Sequence, residues 1–139
     1  MNLRLVSGKI EKGTVEAAGF DLFYAGAEPL LIGDSVVKVP TGVRTVIAEG
    51  YCAVVREKSG LASQGIESKG GLIDSDYRGE WIVMLRKPID RQWVETPCHD
   101  FMLTEPEGWT PFVLEPGMKV APVATPHRRH CGRAPCRRG

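Results

Sequence analysis

The sequence predicts an all-β sandwich or barrel carrying one short helix, and three observations lead there. Short β-branched runs recur along the 139 residues, Gly, Pro and Asp break them at close spacing, and a single segment has helical character. A chain of this length supports one domain with a real core.

The runs follow one another in a simple order. "LRLVSG" (3–8) opens the chain, and "AAGFDLFYA" (17–25) is an apolar run with Asp21 as its one charge. "LLIGDSVVKVPTG" (30–42) and "VRTVIAEG" (43–50) are β-branched and end in turn residues, and "YCAVVRE" (51–57) follows. "SGLASQG" (59–65) lacks β-branched residues and is expected to form about two helical turns, with Gly65 as the C′ residue that closes them. "GIESK" and "LID" flank Gly70-Gly71, which reads as a hairpin because both glycines accept positive φ. "EWIVMLR" (80–86), "PFVLEPG" (111–117) and "MKVAPV" (118–123) complete the set. Between them, "KPIDRQWVETPCHDFMLTEPEGWTP" (87–111) is rich in Pro and breaks strand periodicity, so much of it is expected to be a long loop serving as a lid or interface arm.

Composition divides the chain into a β domain over 1–122 and a basic tail over 123–139, expected to be disordered. The tail holds five arginines and no acids, while the body carries 13 basic against 17 acidic side chains. A mildly acidic body offers no clustered Lys/Arg surface, so direct nucleic-acid binding is not expected. No apolar run reaches membrane-spanning length and no signal-peptide core follows Met1, which points to a cytoplasmic protein with no membrane partner.

Three segments carry chemistry. In "GGLIDSDYRGEW" (70–81) two aspartates and a tyrosine follow a bare glycine turn whose backbone groups can meet the edge of a flat ring such as a nucleobase; a decorated edge strand explains the same residues. If the strand stays regular, Asp74 and Asp76 share one face and Ser75 and Tyr77 the other. Lys58-Ser59-Gly60 places an ammonium, a hydroxyl and free N–H groups at a helix start, where an anion can sit, although Ser59 can equally be a plain N-cap. The run lacks the glycines of a P-loop. Asp21 needs a cation, a donor set or a hydrated metal to offset burial, and a structural salt bridge is one answer.

Taken together these segments resemble the trimeric dUTPase family over roughly residues 1–122. "AGFDL", "KSGLASQGI", "GGLIDSDYRGE" and "PGMKVA" look like its first four motifs, in order, and the third is the most specific. The resemblance implies a dUTPase-like distorted jelly-roll or β-barrel, a homotrimer with sites between subunits, and hydrolysis of dUTP to dUMP and pyrophosphate with Mg2+, which limits uracil incorporation into DNA. It implies Asp74 as the general base, and Leu72, Ile73 and Ile82 around the base. It places Ser68, near the start of the third motif, on the substrate, Tyr77 against deoxyribose, Lys58, Ser59 and Gly60 on phosphates, and Asp21 on the metal through water.

Four positions depart from the family pattern. Lys58 stands where arginine is usual, which loses the bidentate fork, Ser68 where asparagine is frequent, and Pro122 where glutamine follows the alanine. The fourth departure is the tail "HRRHCGRAPCRRG", whose only aromatic ring is histidine, so it supplies no lid of the family's kind. Two functions therefore stay open, a dUTP diphosphatase and a catalytically weak nucleotide-binding or regulatory protein on the same fold. The related dCTP deaminase reading fits less well, because "KSGLAS" lacks the second serine and the arginine of that motif.

Overall fold

The structure is a computed structural model that describes residues 3–125. It contains fourteen strands and one helical turn. In order these are β1 (Leu3–Ser7), β2 (Ile10–Glu11), β3 (Phe20–Phe23), β4 (Leu30–Ile32), β5 (Val37–Pro40), β6 (Arg44–Ile47), β7 (Ala53–Val55), α1 (Ser59–Ala62), β8 (Glu67–Lys69), β9 (Leu72–Ile73), β10 (Ile82–Arg86), β11 (Gln92–Glu95), β12 (Phe101–Thr104), β13 (Phe112–Leu114) and β14 (Lys119–Ala124). The expected all-β architecture with one short helix is what forms.

Two sheets position the site. The larger has the order β2-β3-β14-β7-β9 and the smaller the order β5-β10-β8, with every pairing antiparallel. Two-stranded pairs β1-β6, β4-β13 and β11-β12 complete the fold. Leu22, Ile32, Val39, Val43, Trp81, Val83, Leu114, Val120 and Val123 fill the core between them. In β10 the buried Val83 and Leu85 alternate with Ile82, Met84 and Arg86, the pattern of a half-buried strand. A register shift between Lys119 and Ala121 breaks that alternation in β14, so the neighbours Val120 and Ala121 are both buried.

The structure differs from the sequence reading in four places. The helix is one turn, because after Ser63 the N–H groups of Gln64 and Gly65 reach back three residues, to Leu61 and Ala62, and no longer four. Its closure still has the expected glycine geometry, with Ile66 N–H donating to Leu61 C=O and Gly65 N–H to Ala62 C=O. Gly70-Gly71 is not a hairpin turn. β8 pairs with β10 while β9 pairs with β7, so the two glycines are a corner at which the chain changes sheets.

Segment 87–111, expected as mostly loop, contains the antiparallel ribbon β11-β12, with Trp93 opposite Leu103 and Glu95 opposite Phe101. Its residues are nearly all exposed, so no inward face imposed a period on the sequence. The β domain also extends past residue 122, since Val123 is buried and pairs with Val55, and Ala124 pairs with Val54. The expectation of a disordered tail over the remaining residues lies, from residue 126 onward, outside the described ones.

Candidate active site

The corner at Gly70-Gly71 creates the site. β8 and β9 are edge strands of different sheets, and the glycines join them across the gap. Gly71 has φ +129°, and a Cβ there would stand 2.7 Å from Val55 O, so only glycine lets β9 approach β7 this closely. Val55 N–H donates to Gly71 C=O at 2.7 Å and fixes the approach. β9 pairs on one side only, leaving backbone groups of its outer edge free for a ligand.

Beyond β9 the chain turns over residues 74–80 and does not continue as a strand, so Asp74 and Asp76 are not held on one strand face as the sequence suggested. Tyr77 N–H donates to Asp74 C=O at 3.2 Å, Tyr77 Oη to Glu80 C=O at 2.9 Å, and Arg78 Nη1 to Ser75 C=O at 2.6 Å. These bonds stitch the turn internally. A second set ties its end to the core: Trp81 N–H reaches Val43 C=O at 2.8 Å, Thr41 Oγ1 reaches Trp81 C=O at 2.6 Å, and Glu80 Oε1 accepts Gly42 N–H at 2.7 Å. The start of β10, and with it Ile82, is thereby placed rigidly.

Between these elements lies a cavity of about 280 Å³. It stands at the foot of the range of ligand pockets, enough for a small flat group with part of its substituent. Six of the residues singled out from the sequence line it: Ser68, Leu72, Ile73, Asp74, Tyr77 and Ile82. Asp74 is exposed, and its carboxylate has no ion-pair partner among the described residues. Tyr77 presents a ring that is 45% exposed, with its hydroxyl held by Glu80.

The other four stand elsewhere. Lys58, Ser59 and Gly60 do not line the cavity; they stand at the start of α1, where Lys58 adopts the extended N-cap conformation. Ser59 therefore occupies the first helical position and not the cap. Asp21 is paired with Lys119, Nζ to Oδ2 at 3.0 Å, and is 16% exposed. That ion pair is the salt-bridge answer to its burial, with lysine as the cation.

Sequence reasoning missed Val55, Trp81 and Met84, which also line the cavity. Ile82 and Met84 point the same way along β10, a two-residue period that was visible in "EWIVMLR". Trp81 carried no such signal. It is 2% exposed, and its Nε1–H lacks a partner among the described residues.

Charge at and near the site is held in ion pairs, beginning with Lys69 of the cavity lining. Lys69 holds the Glu67 carboxyl below its ordinary range through a direct hydrogen bond. Asp34 is likewise held down, first by the Ile89 N–H and then by Arg91. Arg91 also bonds Glu105, so this cluster clamps the base of the β11-β12 ribbon.

A bare strand edge, an unpaired carboxylate and a tyrosine ring thus meet in one small cavity of an all-β chain. The family model described as dUTPase matches residues 8–91. The chain is similar to the deoxyuridine 5'-triphosphate nucleotidohydrolase of Chlamydia pneumoniae, 37% identical over 117 residues that cover 81% of this chain and 68% of that one. It is also similar to that of Gloeobacter violaceus, 44% identical over 72 residues, 49% of each chain, so the match spans about half of that relative's length.

Among solved structures, EIAV dUTPase superposes with a TM-score of 0.71 at 25% identity, over 96% of this chain and 94% of that one. A mutant dUTPase from phage phi11 of S. aureus, determined with a structural Mg(II) ion, shares the fold with a TM-score of 0.69 at 19% identity over 91% of each chain. The chain belongs to the dUTPase family.

Proposed function

We propose that the chain is a dUTP diphosphatase, hydrolysing dUTP to dUMP and pyrophosphate and so limiting uracil incorporation into DNA. The observation that carries this reading is the convergence of the open β9 edge, the unpaired Asp74 carboxylate and the Tyr77 ring on one cavity. Leu72 and Ile73 offer backbone N–H and C=O groups to the edge of uracil, while Ile82 and Met84 supply an apolar wall. Tyr77 lies against the deoxyribose, where its ring leaves no room for a 2′-hydroxyl. Asp74 orients a water and takes its proton as the oxygen attacks the α-phosphorus; the pyrophosphate then leaves.

The cavity contains no phosphate ligand beyond Lys69, which is already bonded to Glu67. Lys58, Ser59 and Gly60 are the phosphate-binding candidates, and they do not line this cavity. A homotrimer in which one subunit presents its α1 start to the base pocket of another accounts for that separation.

Mg2+ would neutralise triphosphate charge. The described residues do not build a site for it: Asp21 is committed to Lys119, and no three His, Cys, Asp or Glu side chains gather among them.

The alternative, a nucleotide-binding or regulatory protein with weak turnover, is favoured by the tail, whose only aromatic ring is histidine. Asp74→Asn separates the two. Under the diphosphatase reading pyrophosphate release from dUTP falls about 10²–10⁴-fold while dUTP affinity stays within a few fold. Parent activity no higher than that of the variant leaves the binding protein, and variant activity within twofold of an active parent removes Asp74 from the mechanism.

A further inference from the structure

Beyond residue 91, where the family match ends, the β11-β12 ribbon buries neither face. Trp93 is 69% exposed and Phe101 67%, and cross-strand register puts Trp93, Leu103, Glu95 and Phe101 on one face. A two-stranded ribbon with no face covered is marginal in water. Its charge is also unusual. Residues 90–107 hold five acids and one arginine, a balance of −4, which equals the whole net charge of residues 1–122. That arginine, Arg91, is already engaged by Asp34 and Glu105; Glu95 Oε1 meets His99 Nδ1 at 3.0 Å, and no lysine or arginine among the described residues pairs with Asp90, Glu95, Asp100 or Glu107.

Exposed indole and phenyl faces among carboxylates are the surroundings a guanidinium prefers, because it stacks flat on the ring while its fork meets the acid. A lysine-type ammonium gains less from such a face, and a second copy of the ribbon would bring like charges together. Five arginines stand in this same chain at positions 128, 129, 133, 137 and 138. The segment starts after Thr125, at the end of β14. Fourteen residues at about 3.3–3.6 Å each span at most about 50 Å, against a radius of gyration of about 14 Å for a domain of this size. Reach is therefore sufficient within one subunit or to a neighbour.

We propose that the β11-β12 ribbon is the docking surface for the arginine-rich segment 126–139 of this chain, with arginines stacked on Trp93 and Phe101 and paired with Glu95, Asp100 and Glu107. The C-terminal segment is then held at the ribbon by charge and stacking.

Hydrogen exchange read on peptides from residues 92–104 of the full-length protein tests this. In the parent at about 50 mM salt, the ribbon amides exchange at least fivefold more slowly than in a full-length variant with all five tail arginines replaced by glutamine. The difference collapses at about 500 mM salt, where screening shortens to a few ångströms. Glu95→Arg and Trp93→Ala, both surface changes, reproduce the loss with the arginines intact, and exchange in β10 is unchanged throughout. Equal ribbon protection in the parent and the arginine-free chain overturns the proposal. If that shared protection also rises with protein concentration, another copy covers the ribbon instead.

Discussion

Replacing Gly71 by alanine tests the corner on which the site depends. Two costs add. At φ +129° a side chain is in a region that L-residues rarely occupy, at about 1–3 kcal/mol. The new Cβ, 2.7 Å from Val55 O, also forces β9 away from β7 and loosens the Val55–Gly71 hydrogen bond, worth about 0.5–1.5 kcal/mol net. About 2–4 kcal/mol is expected in total. Gly65 is the control, with φ +79° and nothing within 4 Å of its added Cβ, so Gly65→Ala carries the backbone cost alone, about 1–2 kcal/mol. Both gain the same small offset from a less flexible unfolded chain, which cancels in the comparison. Urea unfolding at one fixed protein concentration, followed by tryptophan fluorescence, reads the difference. With a slope of about 1–3 kcal/mol per molar, Gly71→Ala should unfold about 1 M below Gly65→Ala. Affinity for dUTP should fall with it, since Leu72 and Ile73 move. A Gly71→Ala protein as stable as Gly65→Ala would show that β9 is not held against β7 as described.

Three further expectations follow from the same geometry. Tyr77→Ala should relax the preference for dUTP over UTP, whereas Tyr77→Phe, which loses only the bond to Glu80, should keep it; an unchanged preference in the alanine variant places the sugar block elsewhere. Asp34 has a depressed folded pKa, so its stabilisation is complete above its ordinary value of 3.8 and disappears as pH falls through the lower folded value. Asp34→Asn should therefore be less stable than the parent at pH 7, with the gap closing below about pH 4; a gap independent of pH would dismiss the charge. Ending the chain after Thr125 should change dUTP hydrolysis by less than about threefold, because the removed segment holds no aromatic ring but histidine, while a large, salt-insensitive loss of kcat would mean that it closes over the substrate.

The strand-rich class and the cavity-lining residues were legible because the third motif is local. Residues 68–82 fold into one corner, turn and strand, and their spacing in sequence is nearly their spacing in space. The ribbon was illegible for the opposite reason: alternation is a signal of one buried face, and β11-β12 has none. The end of the domain was misplaced by two residues because it was drawn from composition, and the residues after Pro122 offer little to bury. Pro122 follows the bulge in β14, where its C=O accepts Arg56 N–H at 2.9 Å, and the missing N–H does not stop the strand from continuing through Val123.

The Gly70-Gly71 misreading has a more specific cause. Two glycines between short apolar runs satisfy the local rule for a hairpin, and both do take positive φ, at +73° and +129°. What decides between hairpin and corner is where the flanking strands find partners. β10 offers Met84, Leu85 and Arg86 to β8, and β7 offers Ala53 and Val54 to β9. Those partners lie up to some twenty residues away in sequence, so no local pattern records them. The consequence is functional. A hairpin would have spent the edge of β9 on β8, whereas the corner leaves that edge open beside Asp74, Tyr77 and Ile82, which is why a cavity with a free backbone edge exists at this point in the fold.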